Sequence, residues 1–284
     1  MNVGFIGVGY MGYGIAKNLI KNGNKLFVIA NKNRKPIDKI VNEGAAEVKD
    51  YSDLCNSNLD ALFLCVTNTP IAKSIAEKIS TLLNDKTLII DITTHNQNGS
   101  IEMEQIFSKR KISYIECPVM GGPVQAEEGI LGGIVGGSEK NLKKGEVFLK
   151  AFCKEYFHFG DVGKGAKSKL LNNFLSLGTA TYVIELIKSA EKLNIDLKKL
   201  FAVAKLGSGN SAALNRIFDK VLEGDFTGFK FSTSNALKDL TYIHEMLNGM
   251  DNAEKLAELK KSIYKKAVDK GYGDLFISEL IKKN

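Results

Sequence analysis

Lys169 and Asn173 stand four residues apart in the stretch GDVGKGAKSKLLNN, residues 160–173, where three glycines lead into a helical pattern. On a helix that spacing puts an amine and a carboxamide on one face, one turn apart. A positioned amine can give a proton to a nascent alkoxide or take one from a hydroxyl, and an amide can orient the reacting group. The stretch also marks a change in build. Before it, short apolar runs alternate with helical patterns; after it, almost everything reads as helix. Ligand sites favour such junctions.

A second chemical stretch opens the chain. An apolar run at residues 2–6 meets Gly7, Gly9 and Gly12 and then a helical pattern through Ile15, Leu19 and Ile20. This reads as strand, glycine turn and helix. The first glycine permits the turn, the second lets backbone approach a pyrophosphate, and the third packs helix on strand, while the helix N-terminus offers N–H donors to the anion. Val8, Tyr10 and Met11 complete the turn and count with the glycines as cofactor-binding positions. After the next strand, residues 26–30, an NAD-preferring site usually carries an acidic residue for the ribose 2′-hydroxyl. Here stand Asn31, Lys32, Asn33 and Arg34, with Asp38 the nearest carboxylate downstream. Lys32 and Arg34 suit a 2′-phosphate, so the expected cofactor is NADP rather than NAD.

The elements that position these groups follow from periodicity. Further strands are expected at residues 61–66, 88–92 and 112–115, with helices at 71–83 and 101–110, which is the alternation of a parallel sheet covered on both faces. Ligands then bind beyond the strand C-termini. Those ends carry Val66 and Thr67, then Thr94, then residues 117–123 with Met120, Gly121 and Gly122. Residues 131–135 and 156–159 read as closing strands around a helix that starts near Ser138. The helix from Lys169 to Leu193 is apolar on most faces, which implies burial or a subunit interface. Helices are expected at 197–205, 211–222, 232–247, 253–269 and 274–281.

The chain of 284 residues is 44% hydrophobic and 25% charged, ordinary values for a globular protein. Its net charge of +7 is spread along helices among acidic residues, without the aromatic-and-basic module that stacks bases, so nucleic-acid binding is not expected. The four cysteines form no C-x-x-C pair and the three histidines no metal-ligand spacing. No metal site is expected. No charged leader precedes the first apolar run, and no apolar stretch reads as approaching the ~20 residues of a membrane span. The expected compartment is cytoplasmic.

Five stretches together resemble the β-hydroxyacid dehydrogenase family, which contains 3-hydroxyisobutyrate dehydrogenase and glyoxylate and succinic semialdehyde reductases. They are FIGVGYMGYGIAKNL at 5–19, DITT at 91–94, CPVMGGPVQAEEGILGGIVGG at 117–137, GKGAKSKLLNN at 163–173 and KDL at 238–240. The resemblance implies a Rossmann-type α/β domain with a doubly wound parallel sheet (residues 1–162), joined by a long helix to an all-α C-terminal domain (residues 163–284), assembled as homodimers or homotetramers. It implies an NAD(P)-dependent oxidoreductase with Lys169 as general acid/base and Asn173 orienting a small carboxylate-bearing aldehyde or hydroxyacid. By the same resemblance Gly121 and Gly122 help hold the carboxylate, Thr94 and Lys238 contact the cofactor, and Asp274, in GYGDLF, lies in a C-terminal segment near the site. Met120 departs from the family's usual Ser, which bears on the substrate. Imine reduction on the same fold and a non-catalytic NADP-sensing module are the alternatives.

Overall fold

The computed structural model describes residues 1–31 and 33–283, and the expectation for Lys32 lies outside them. The chain forms two compact units, Met1–Lys169 and Leu170–Asn284.

In the first unit the order is β1 (Asn2–Ile6), α1 (Tyr10–Lys21), β2 (Lys25–Ile29), α2 (Lys35–Asn42), β3 (Ala46–Val48), α3 (Tyr51–Cys55), β4 (Ala61–Leu64), α4 (Thr69–Ile79), β5 (Leu88–Asp91), α5 (Gly99–Ser108) and β6 (Ser113–Glu116). These six strands form one parallel sheet in the order β3-β2-β1-β4-β5-β6. Successive side chains leave a strand on opposite faces. Val3, Phe5, Phe63, Leu88 and Ile90 therefore pack into one apolar cluster, and Ile6, Leu62, Leu64 and Ile89 into another. A sheet buried on both sides needs continuous apolar strands, which is why β4 and β5 carry no polar residue before Asp91. On the first face Phe63 stacks on Phe5 at 5.5 Å and takes the edges of Phe148 and Phe152.

The strand order reverses direction between β1 and β4, and the crevice beyond their C-termini is where such sheets bind ligands. Ile6 pairs with Leu64, and Leu64 with Asp91, so the three expected cofactor loops leave the sheet side by side.

Next come β7 (Val119–Met120), α6 (Pro123–Glu128), β8 (Leu131–Val135), α7 (Glu139–Leu149) and β9 (Cys153–His158). Here the structure corrects the sequence reading. The strands at 131–135 and 153–158 do not close the main sheet; they join β7 in a separate three-stranded sheet, antiparallel at β7–β8 and parallel at β8–β9. Asn18 of α1 fastens α6 below it, donating to the carbonyls of Ala126 (2.8 Å) and Glu127 (3.1 Å). Gly14 makes that approach possible, because a Cβ there would lie 2.5 Å from Ala126 backbone.

The helix α8 (Lys164–Lys192) begins in the first unit and carries Lys169, then Asn173 one turn later. The second unit continues with α9 (Leu197–Leu206), α10 (Ala212–Leu222), α11 (Thr233–Met246) and α12 (Asp251–Asp269). The last expected helix is a 3₁₀ segment, Ile277–Lys282. Leu170, Leu177 and Ile184, seven apart on α8, face the core of this unit with Leu240, Ile243 and Tyr264. By length and composition α8 could cross a membrane, which corrects the expectation that no stretch reaches that size, but half of its most apolar window is buried inside the protein. That is the pattern of a core helix. Its other face leaves Leu175 and Tyr182 exposed, so α8 is not buried all round.

Candidate active site

The β1–α1 turn shows why its glycines stand where they do. Gly7 has φ of +102°, and a Cβ on it would lie 2.1 Å from the Cys65 carbonyl oxygen. Only glycine turns there without strain. A Cβ at Gly12 would lie 2.1 Å from the Gly7 carbonyl oxygen, so α1 sits directly on the turn. At Gly9, by contrast, a Cβ would meet nothing within 4 Å, and no side chain caps α1 at this residue. Bare backbone and an uncapped helix start, facing open space, fit the pyrophosphate of a dinucleotide. Val8 is buried, Met11 half-buried and Tyr10 exposed.

Beside the turn, Val66 N–H donates to Thr93 Oγ1 at 3.2 Å, tying the loop after β4 to the loop after β5. Thr67 is exposed there and Thr94 half-buried. The tie runs deeper through Asp91, which is fully buried. Its Oδ1 accepts Thr93 N–H at 2.9 Å, and its Oδ2 meets His95 Nε2 at 2.9 Å and accepts Tyr114 OH at 3.2 Å. His95 Nδ1 in turn meets Thr69 Oγ1 at 3.2 Å. Asp91 and His95 thus fix both cofactor loops, a role that turn chemistry alone did not reveal.

Asn31 and Arg34 are exposed after β2, as a ribose-proximal loop requires. The structure nevertheless changes the electrostatics expected of Arg34. Its guanidinium pairs with Glu47 of β3, at 2.5 and 3.0 Å, and with Asp38 at 2.7 Å. The nearest carboxylate in sequence was Asp38, but β3 brings a second. A 2′-phosphate would have to exchange with or bridge these pairs.

Lys169 is 8% exposed. Its Nζ donates to the Val119 carbonyl at 2.8 Å and to Met120 Sδ at 3.3 Å. The structure therefore brings Lys169 and Met120 together at the edge of the segment expected to hold substrate. Gly121 has φ of +118° and turns the chain into α6. Gly122 N–H donates to Gln125 Oε1 at 2.9 Å, so it serves a substrate carboxylate only if the Gln125 amide turns away.

The second unit supplies its own cluster. Asp239, 1% exposed, accepts Asn173 Nδ2 at 2.7 Å through Oδ2, and its Oδ1 lies 3.0 Å from Lys238 Nζ. The ion pair is close, yet Oδ1 has no well-directed hydrogen bond, so charge rather than alignment holds it. Asp239 fixes which way the Asn173 amide points. In the sequence Asp239 stands out only as the neighbour of Lys238 in KDL, and nothing there distinguishes it from a solvated mid-helix charge. Asp274 is exposed, on a turn stitched to the start of α11 by Thr233 N–H to Leu275 O (2.8 Å) and Ser234 N–H to Gly273 O (2.9 Å). Among the described residues no His, Cys, Asp or Glu cluster could hold a metal ion.

The chain is similar to known proteins in both halves. The family described as the NAD binding domain of 6-phosphogluconate dehydrogenase matches residues 2–160. The family described as the NAD-binding domain of NADP-dependent 3-hydroxyisobutyrate dehydrogenase matches residues 163–283. Mitochondrial 3-hydroxyisobutyrate dehydrogenase of Drosophila melanogaster is 27% identical over 99% of this chain and 90% of its own. The fold matches that of 3-hydroxyisobutyrate dehydrogenase from Salmonella typhimurium with a TM-score of 0.89, at 22% identity over 99% of each chain. It also matches Psf3, solved in complex with NADP⁺ and 2-OPP, with a TM-score of 0.88, at 24% identity over 98% of each chain. With both halves matched along nearly their whole length, the chain belongs to the β-hydroxyacid dehydrogenase family of NAD(P)-dependent oxidoreductases acting on CH–OH groups.

Proposed function

We propose that the protein is an NADPH-dependent reductase of a small carboxylate-bearing aldehyde or keto acid, also acting on the matching hydroxyacid, with Lys169 as general acid/base. The observation that carries this reading is the buried Lys169 amine, held by the Val119 carbonyl and the Met120 thioether at the mouth of the 119–122 turn. When bound, the nicotinamide supplies or accepts the hydride. Lys169 Nζ gives the proton that a nascent alkoxide needs, over a hydrogen bond of about 2.6–3.2 Å. In the reverse direction the neutral amine takes it back. Asn173, its amide oriented by Asp239, aligns the substrate. Met120 presents a thioether and bulk where a hydroxyl would favour a more polar acyl group.

The NADPH preference rests on the loop after β2. Asn31 and Arg34 lie there, Lys32 stands between them in the sequence, and Arg34 is exposed enough to exchange its carboxylate partners for a phosphate with two parallel bonds. The NADP⁺ complex of Psf3 supports the same choice. The exposed Leu175 and Tyr182 on α8 are the surface through which a homo-oligomer would assemble.

The test is initial-rate oxidation of NADPH and NADH with glyoxylate, succinic semialdehyde, methylmalonate semialdehyde and tartronate semialdehyde. Turnover with at least one, faster at low NADPH than at equal NADH, is the expected result. Tight NADPH binding with no aldehyde turnover, but reduction of a cyclic imine, would overturn it in favour of imine reduction.

A further inference from the structure

Glu116 ends β6, is fully buried, and has no part in the chemistry above. Its Oε1 accepts the backbone N–H groups of Gly163 at 2.7 Å and Gly165 at 2.8 Å, and the Ala166 N–H also favours its ionised form. These lie in the opening turn of α8, whose N–H groups have no partner inside the helix. A carboxylate from 47 residues earlier takes them.

The surrounding glycines are cut to fit that carboxylate. A Cβ at Gly136 would lie 2.2 Å from Glu116 Oε1, and one at Gly165 would lie 2.9 Å from it. Glu116 and Gly136 also exchange backbone hydrogen bonds, both at 3.0 Å. Burial raises the Glu116 carboxyl above the usual range, against the pull of Ser100 and the three N–H groups. A buried acid with one oxygen shared between backbone donors is a costly device for capping a helix.

Its position explains the cost. Gly165 precedes Lys169 by one turn of α8, and Glu116 precedes Val119 by three residues. The turn is therefore fastened at two points to one short segment, through Glu116 to Gly165 N and through Val119 O to Lys169 Nζ. The two ties together fix both the start of α8 and the Lys169 amine one turn along it.

We propose that Glu116 is a positioning residue, which by capping α8 sets where the Lys169 amine meets substrate. The inference rests on the reading of Lys169 as proton donor. Misplacing a reacting group by about 1 Å can cost on the order of 10²-fold in rate. In the full-length protein E116Q keeps one acceptor and loses the charge, E116A leaves the helix start uncapped, and E116D retains the charge on a shorter arm. The expected result, with kcat expressed per NADPH-binding site from fluorescence titration, is a loss of about tenfold in E116Q and about 10²-fold in E116A, with E116D between wild type and E116A. The Kd for NADPH stays within about twofold, because the turn at residues 7–12 is untouched. A structural role alone would lower Tm and the number of binding sites but leave kcat per site unchanged, and that outcome overturns the proposal. Should E116A fail to fold, Gly165→Ala crowds the same oxygen while keeping the charge, and the same kcat loss at constant NADPH affinity is expected. Lys169→Ala, run alongside, separates the two readings. If it keeps full kcat, the proton-donor reading fails; if it loses kcat while E116Q and Gly165→Ala do not, only the role of Glu116 fails.

Discussion

Replacing Lys260 with Met should stabilise the protein at neutral pH. Lys260 of α12 is 5% exposed, and among the described residues no carboxylate lies within ion-pair distance of it. Its ammonium sits over the Phe174 ring at 4.2 Å and nearer the edge of reach of Tyr182 at 5.8 Å. Gly178 leaves the space, since a Cβ there would lie 2.8 Å from Nζ. Two opposed effects meet here. Cation–π attraction contributes about 0.5–2 kcal/mol, while desolvating a charge costs several kcal/mol, and apolar replacements of buried ions are often stabilising by about 1–4 kcal/mol. Met, one atom shorter, keeps most of the packing and loses the charge, so a net gain of about 1 kcal/mol is expected, or a Tm about 2–4 °C higher for a protein of this size. The pH dependence fixes the cause. Burial holds the Lys260 pKa below 10.5. Below the folded value both states carry the charge and the penalty is fully present. As pH rises from the folded value toward 10.5 the folded state releases its proton first, the unfolded state binds more protons, and stability recovers. Thermal melts of wild type and K260M from pH 7 to 10.5 should therefore converge toward alkaline pH. A K260M protein that melts lower than wild type by the same margin at every pH would show instead that the ammonium is a net stabiliser.

Three further outcomes follow from the site. Asp239→Asn keeps the shape but loses the charge opposite Lys238, and should lower kcat/KM about 10- to 100-fold; a steady-state assay that finds wild-type kcat/KM would remove Asp239 from the site. Arg34→Ala should raise the KM for NADPH at least fivefold more than that for NADH, about 1 kcal/mol of a charge-assisted pair, and equal effects on the two would contradict the NADP assignment. Leu175→Asp with Tyr182→Asp should shift the protein to a smaller species in sedimentation, if the exposed face of α8 is the subunit contact; an unchanged species would move the contact elsewhere.

What could be read ahead of the structure was set by periodicity and glycine. The strands at 61–64 and 88–91 were legible because burial on both faces forces an unbroken apolar run, and the turn at Gly7 because few other signals place three glycines between a strand and a helix. β7 was not, since two residues have no period, and without it the strands at 131–135 and 153–158 had no visible reason to leave the main sheet. Asp274 to Ile281 carries helical spacing, yet the chain there is a 3₁₀ segment, which shares nearly the same spacing over six residues. The site partners were hidden for a different reason. Glu47 reaches Arg34 only because β3 lies beside β2, and Glu116 and Asp239 reach α8 from 47 and 66 residues away. Glu116 and Asp239 are buried and Glu47 is exposed, and residue type alone distinguishes none of them from a solvated surface acid; only the fold names what each acid holds.

Whether the Lys169 amine moves the proton is read from the single-turnover rate of NADPH oxidation by Lys169→Ala on the best aldehyde found, with NADPH binding titrated in parallel. The expected rate is lower by about 10²- to 10⁴-fold with NADPH affinity retained. A Lys169→Ala protein that oxidises NADPH at the wild-type rate would contradict it.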